Sequence, residues 1–248
     1  MAEWTTFPNA PITEALLDIR VQLPEDVNLA QLATFYDSVK ERYPNKRERL
    51  SWQGGMKLTP TGDVEVIQSQ GGPDGYLLTS SDGKQIVQVR LDAFTSNRLR
   101  PYDRWETFRD EARDLWELYV KVAQPKQITR TALRYINRIE IPLPMRDFKD
   151  YILTVPEIAA ELPQGLAKYL MQLVIPVPEI PATAIITEAM EPTAEPTKVP
   201  LIFDIDVFSS KVFEVKDGEW WQVFEKLRDL KNNIFFRSIT DKTKELFQ

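Results

Sequence analysis

Asp204 and Asp206 stand two residues apart in the run LIFDIDVFSS, Leu201 to Ser210. On a strand, that spacing sends both carboxylates out of one face, and such a pair is a candidate site for a hard divalent cation such as Mg²⁺. Arg130, Arg134 and Arg138 recur every four residues, which on a strand keeps three guanidinium groups on one face at intervals of about 13 Å. Arg20 and Arg90 extend the cationic set, Asp92 joins the acidic one, and Phe94 and Phe208 are the aromatics of the same strands. These ten residues are the candidate binding residues. An arginine, Arg90, stands where the first half would need a carboxylate to match Asp204, which favours cross-strand ion pairing over a metal pair. A field of mixed sign also suits a protein partner recognised through charge pairs. Single-stranded nucleic acid asks instead for a cationic groove with stacking aromatics, and saddle-type DNA binding for apolar wedges.

Other chemistry is limited by what is missing. The 248-residue chain has no histidine and no cysteine, so it offers no imidazole base, no disulfide and no Cys/His zinc site. No G-x-x-x-x-G-K-[ST] or G-x-G-x-x-G run occurs, and Ser80-Ser81 and Ser209-Ser210 have no activating partner in sequence. The net charge of −6 repels a phosphate backbone unless the cations gather on one face. The opening MAEWTTFPNAP has no basic stretch followed by an apolar one, so a cytoplasmic protein with neither signal peptide nor membrane span is expected. No cofactor is implied.

The elements that must carry these residues repeat. Leu91 to Ser96 (LDAFTS) aligns with Ile205 to Ser210 (IDVFSS) at a spacing of 114, Arg20 to Pro24 with Arg138 to Pro142 at 118, and Trp105 with Trp220 at 115. Each half reads strand, helix, three or four strands, helix. The first strand is expected at Ile12 to Leu23 with its odd positions apolar, followed by a helix capped at Asn28 or Asp26 and running to Tyr43. Glycine-rich turns, among them Thr61-Gly62, Gly71 to Gly75 and Asp82-Gly83, then punctuate a meander, the last being the strongest hairpin signal. Long helices are expected from about Arg104 to Val122 and following Trp220, with Trp105 and Trp220 in the core, Trp116 and Trp221 at an interface edge, and a last short helix over Thr240 to Phe247. The Pro-rich stretch 191–200 is read as a loop. The expected fold is therefore α+β: an internally duplicated unit, halves 1–124 and 125–248, forming one long curved antiparallel sheet with helices on one face. In element order this resembles the saddle of the TATA-binding-protein fold, by analogy only.

Three segments, Phe7 to Ala15 (FPNAPITEA), Arg134 to Ile139 (RYINRI) and Phe203 to Phe208 (FDIDVF), together resemble a sporadically distributed, functionally uncharacterised family of bacterial and archaeal proteins. The resemblance brings no catalytic residues. Its patchy distribution implies an accessory protein, of the kind found in defence or toxin–antitoxin systems. The reading of the sequence is a non-enzymatic binding module acting through a protein partner or as a homodimer. A nucleic-acid-binding saddle and a metal-dependent enzyme built on Asp204 and Asp206 are the alternatives.

Overall fold

Strand β1 (Ile12–Gln22) sets the two unlike faces of the sheet. Its odd positions Ala15, Leu17 and Ile19 are fully buried, while Glu14, Asp18 and Arg20 lie on the opposite side, the two-residue period of a strand covered on one face. The computed structural model describes residues 4–58, 64–192 and 195–248, with side chains described outside 52–70. The chain continues through α1 (Leu29–Ala33), β2 (Asn45–Leu58), β3 (Val64–Thr79), β4 (Gln85–Arg90), β5 (Ala93–Leu99) and α2 (Trp105–Ala123). A second series follows: β6 (Gln127–Pro142), β7 (Leu170–Val177), β8 (Ala182–Met190), β9 (Lys198–Ser209), β10 (Phe213–Glu214), α3 (Trp221–Ser238) and α4 (Asp241–Glu245).

The strands form one antiparallel sheet in the order β2-β3-β4-β5-β1-β6-β9-β8-β7, with β10 on the end of β6. The first strands of the two series, β1 and β6, pair at its centre. Helices α2 and α3 cover one face. Phe94 of β5 meets Trp116 of α2 at 5.8 Å, and Trp116 meets Trp220, just before α3, at 5.4 Å. These rings are buried, and burying each contributes roughly 2–3 kcal/mol. This is the open, curved α+β sheet expected from the alternating strands and hairpin turns.

The turn at Asp82-Gly83 forms as expected: Gly83 takes φ +71°, and the Asp82 carboxylate accepts from Ser80 Oγ at 2.6 Å and from the Lys84 amide at 3.0 Å. Four local expectations are corrected. The helix after Asn28 stops at Ala33 and tightens into a 3₁₀ turn over Thr34–Ser38. Thr34 Oγ1 bonds back to the Gln31 carbonyl at 2.7 Å, and the following Phe, Tyr, Asp, Ser and Val are weak helix formers. Its stripe of Leu32, Phe35, Val39 and Tyr43 is nevertheless buried. Gly71 to Gly75 is no turn but part of β3, where the register against β2 shifts between Arg49 and Trp52. Gly75 is needed there because a side chain would run into the Val89 carbonyl. Trp116 is fully packed rather than at an edge. The Pro-rich stretch ends within β9, whose first residues are Lys198 to Pro200. The turn at Thr61-Gly62 lies outside the described residues.

Candidate functional site

Strand pairing decides which candidates share the helix-free face. Asp18 of β1 stands opposite Thr95 of β5 and Ala132 of β6, and Leu16 opposite Arg134. Arg134 in turn stands opposite Asp206 of β9, and Ile136 opposite Asp204. Ion pairs therefore run across neighbouring strands. Asp18 accepts from Arg90 and from Arg130 at 3.2 Å each, and Arg130 reaches on to Asp206 at 3.3 Å. Thr95 Oγ1 adds a bond to Asp18 at 2.9 Å. Arg134 grips Asp204 with two nitrogens, Nε to Oδ1 at 2.9 Å and Nη2 to Oδ2 at 2.5 Å, the forked geometry that makes guanidinium–carboxylate pairs strong. The Arg130 guanidinium also lies 4.4 Å from the centre of the Phe208 ring. The four members of the Arg90–Asp18–Arg130–Asp206 chain have side chains only 12–22% exposed, so water screens them weakly. Burial raises the Asp206 carboxyl above its ordinary range, against the pull of Arg130 and Arg134.

The structure thus brings Arg90, Arg130, Arg134, Asp204, Asp206 and Phe208 together. Of the other four candidates, Asp92 and Arg20 stand at the margin of this group, and Phe94 and Arg138 lie away from it. Phe94 pairs with Ile19 and points into the helices, whereas its expected mate Phe208 faces outward opposite Ala132. Asp92 lies in a bend before β5 with its side chain 66% exposed, where it reaches only the outer side of Arg90, Oδ1 to Nε at 3.4 Å, while Asp206 is inside β9. The residue match at a spacing of 114 therefore lays positions of opposite strand parity against each other. Arg138 does not meet Asp206; it pairs with Glu140 and, at 2.6 Å, with Glu191. Arg20 is half exposed, and its one ion pair among the described residues is with Asp18, at 3.9 Å. As for a metal, both oxygens of Asp204 and one of Asp206 accept from arginines. Among the described residues no group of three or more acidic side chains is placed to hold an ion.

One feature of this face has no counterpart among the candidates. β7 is an outer strand, paired among the described residues with β8 alone. Leu170, Gln172 and Val174 stand in line with Ala189, Thr187 and Ile185 of β8, and these in line with Ile202, Asp204 and Asp206, so they belong to the open face. Leu170 and Val174 are 72% and 61% exposed. The segment Leu170 to Val177, LMQLVIPV, contains no charge. Long, uncharged, unpaired edges are what proteins ordinarily blunt with lysine or cover with another element. The signal was present in the sequence as an uncharged, mostly apolar run, but such a run does not say which strand ends a sheet.

No protein-family model matches the chain, and no curated protein matches it. Among the described residues no helix is long and apolar enough to cross a membrane.

Proposed function

We propose that the protein is a binding module that engages another polypeptide along the β7 end of the open sheet face. The observation that carries this reading is the contrast between the two parts of that face. At the sheet centre the arginines are engaged by carboxylates of the same chain; at the edge, Leu170 and Val174 lie open beside a row of unpaired backbone groups. An extended segment of alternating apolar residues would satisfy both needs, adding main-chain bonds and covering the side chains. Internally paired arginines support this reading over a phosphate-binding face, which needs cations free to take new partners. A second copy of the chain has the right chemistry too. Antiparallel pairing of two β7 strands centred on Gln172 sets Leu170 of each opposite Val174 of the other.

A photo-cross-linking residue at position 170, used in the native host, tests this together with light scattering on the purified chain. The expected result is one discrete adduct, or a dimer by mass, lost in Val174→Lys, since a lysine on the edge disfavours strand addition. A monomer that gives no adduct, or an adduct unchanged by Val174→Lys, would overturn it.

A further inference from the structure

On the covered side of the sheet, helix α3 presents Arg228, Lys231, Asn232, Phe235 and Phe236 along one face, at the spacing of successive turns. They look onto Tyr135 and Asn137 of β6, and the N-terminal segment Trp4 to Ile12 closes the side, leaving a cavity of about 150 Å³. Two of the segments singled out in the sequence meet here: Phe7 and Ile12 from the first, Tyr135 and Asn137 from the second. The walls are aromatic. Trp4 stacks on Phe236 at 5.3 Å, and Phe7 packs against Phe236 at 5.8 Å. A cavity of this size takes about one six-membered ring.

Its polar groups are poorly satisfied from within the protein. Lys231 is only 9% exposed, and its Nζ lies 3.8 Å from the centre of the Tyr135 ring. Among the described residues it has no ion-pair partner and no hydrogen-bond acceptor. Asn232, 7% exposed, makes no side-chain hydrogen bond among them. Asn137 donates to the Phe203 carbonyl at 2.9 Å, and among the described residues no group donates to its oxygen. The neighbouring cation differs: Arg228 lies 3.7 Å from Glu106 and 4.0 Å from Glu225 and sits over the Trp105 ring. Buried polar groups are nearly always paired in native proteins, and a buried charge without a counter-ion is costly. Three such side chains on one cavity, one of them a lysine, describe a site that a ligand completes. Water can satisfy the amides, but it does not neutralise an ammonium group among aromatic rings.

We propose that this cavity binds a small organic carboxylate with a one-ring apolar body, the carboxylate accepting from Lys231 Nζ and the Asn232 amide while the body lies against Phe7, Tyr135 and Phe236. Inorganic phosphate would leave the aromatic walls uncovered, and a neutral ring would leave Lys231 unpaired. Burial, and secondarily Arg228, hold the Lys231 ammonium down to about 7. The other titratable groups lining the cavity are the Tyr135 and Tyr102 phenols, both raised by burial, and Asp103, Arg104 and Glu106 at the approach to α2. Glu225, one turn back on α3, is drawn to Arg228, Arg109 and the Trp105 indole. The described part of the N-terminal segment adds no charge. A bound carboxylate therefore holds the proton on Lys231, so binding takes up protons and weakens as pH rises.

The test is calorimetric titration of the full chain with benzoate, benzamide and acetate. Benzoate is expected to bind at least about tenfold tighter than the isosteric neutral amide or the ringless anion, since one good charge-assisted contact is worth that factor. Its affinity is expected to be level between about pH 5 and 6 and to fall by at least about tenfold by pH 9, as the lysine passes its midpoint of about 7. Lys231→Met should keep the fold and erase the preference for benzoate over benzamide. Asn232→Asp, which sets a carboxylate of the protein beside Lys231, should abolish benzoate binding while the chain stays folded; it carries the test if the first variant does not fold. Benzoate binding no tighter than benzamide, no binding at millimolar concentration, or binding indifferent to both substitutions would overturn the proposal.

Discussion

Glu188 is a carboxylate that the fold holds at a cost, and replacing it with glutamine should stabilise the protein in a pH-dependent way. The residue lies on β8 between Met171 and Phe203 on the covered side of the sheet, with no exposed surface. One oxygen accepts a long bond from the Tyr169 hydroxyl at 3.4 Å; the other has no partner among the described residues. Burial pushes the carboxyl from its ordinary 4.5 up to about 7, only partly offset by Tyr169. Because the folded value is raised, the folded chain keeps the proton between these limits while the unfolded chain releases it. Stability from this group is therefore complete below pH 4.5 and falls as pH rises to 7. The gap corresponds to about 3 kcal/mol. Urea unfolding of the wild type and of Glu188→Gln at pH 4.5, 6 and 8 reads it directly. The stability difference should move by about 3 kcal/mol in favour of glutamine from the lowest to the highest pH, on top of a constant offset from burying an amide. A difference that does not change with pH would show that the carboxylate finds a counter-charge or water when ionised, and the reasoning would fail.

Two further outcomes follow from the contacts of β6 and β3. A double-mutant cycle of Arg130→Met with Asp206→Asn should give a coupling of about 1–2 kcal/mol, because both side chains are about four-fifths buried; the same cycle with Arg138→Met in place of Arg130→Met should give a coupling near zero, since Arg138 pairs with Glu140 and Glu191. Gly75→Ala should cost about 2 kcal/mol or more in thermal or urea melts, because the added methyl meets the Val89 carbonyl and Arg90 backbone of the neighbouring strand.

What the sequence revealed and what it hid differ in physical kind. Alternation along Ile12 to Gln22 and the Asp82-Gly83 turn are local, and both the strand and its hairpin were legible. The length of the helix after Asn28 was not, because Leu32, Phe35, Val39 and Tyr43 are buried equally by a continuous helix and by a short helix followed by tight turns. For the site, the type of partner was legible and its identity was not: arginines every four residues foretold carboxylates across the strand. Only the register assigns Asp206 to Arg130 and leaves Arg138 to Glu191, because Glu191 lies beyond the end of β8 and joins through a loop. The lysine of the cavity was invisible for a different reason. On an amphipathic helix Lys231 reads as one more solvated charge, and nothing in its neighbours Leu230 and Asn232 reveals that β6 and the N-terminal segment close over it.

The run Arg134 to Arg138 on β6 joins the two sides of the molecule, and its alternation explains why the strand cannot slip. Arg134 and Ile136 face the ion pairs of the open side, while Tyr135 and Asn137, one residue on from each, floor the cavity. A shift of one residue would exchange the two sets. It would set arginines among Phe7, Phe235 and Phe236 and would bring Tyr135, 2% exposed, out to water. Polar bonds on both faces oppose that slip: the forked pair of Arg134 with Asp204 on one, and the Asn137 amide bond to the Phe203 carbonyl on the other. Hydrophobic alternation alone would be satisfied equally by a slip of two, since Leu133, Tyr135 and Ile139 are all buried. The asparagine and the arginine remove that ambiguity, because moving either by two residues leaves a buried amide or an 11%-exposed carboxylate without its partner. The strand's polar residues thus fix which residues of β6 reach the cavity, and so fix the cavity itself.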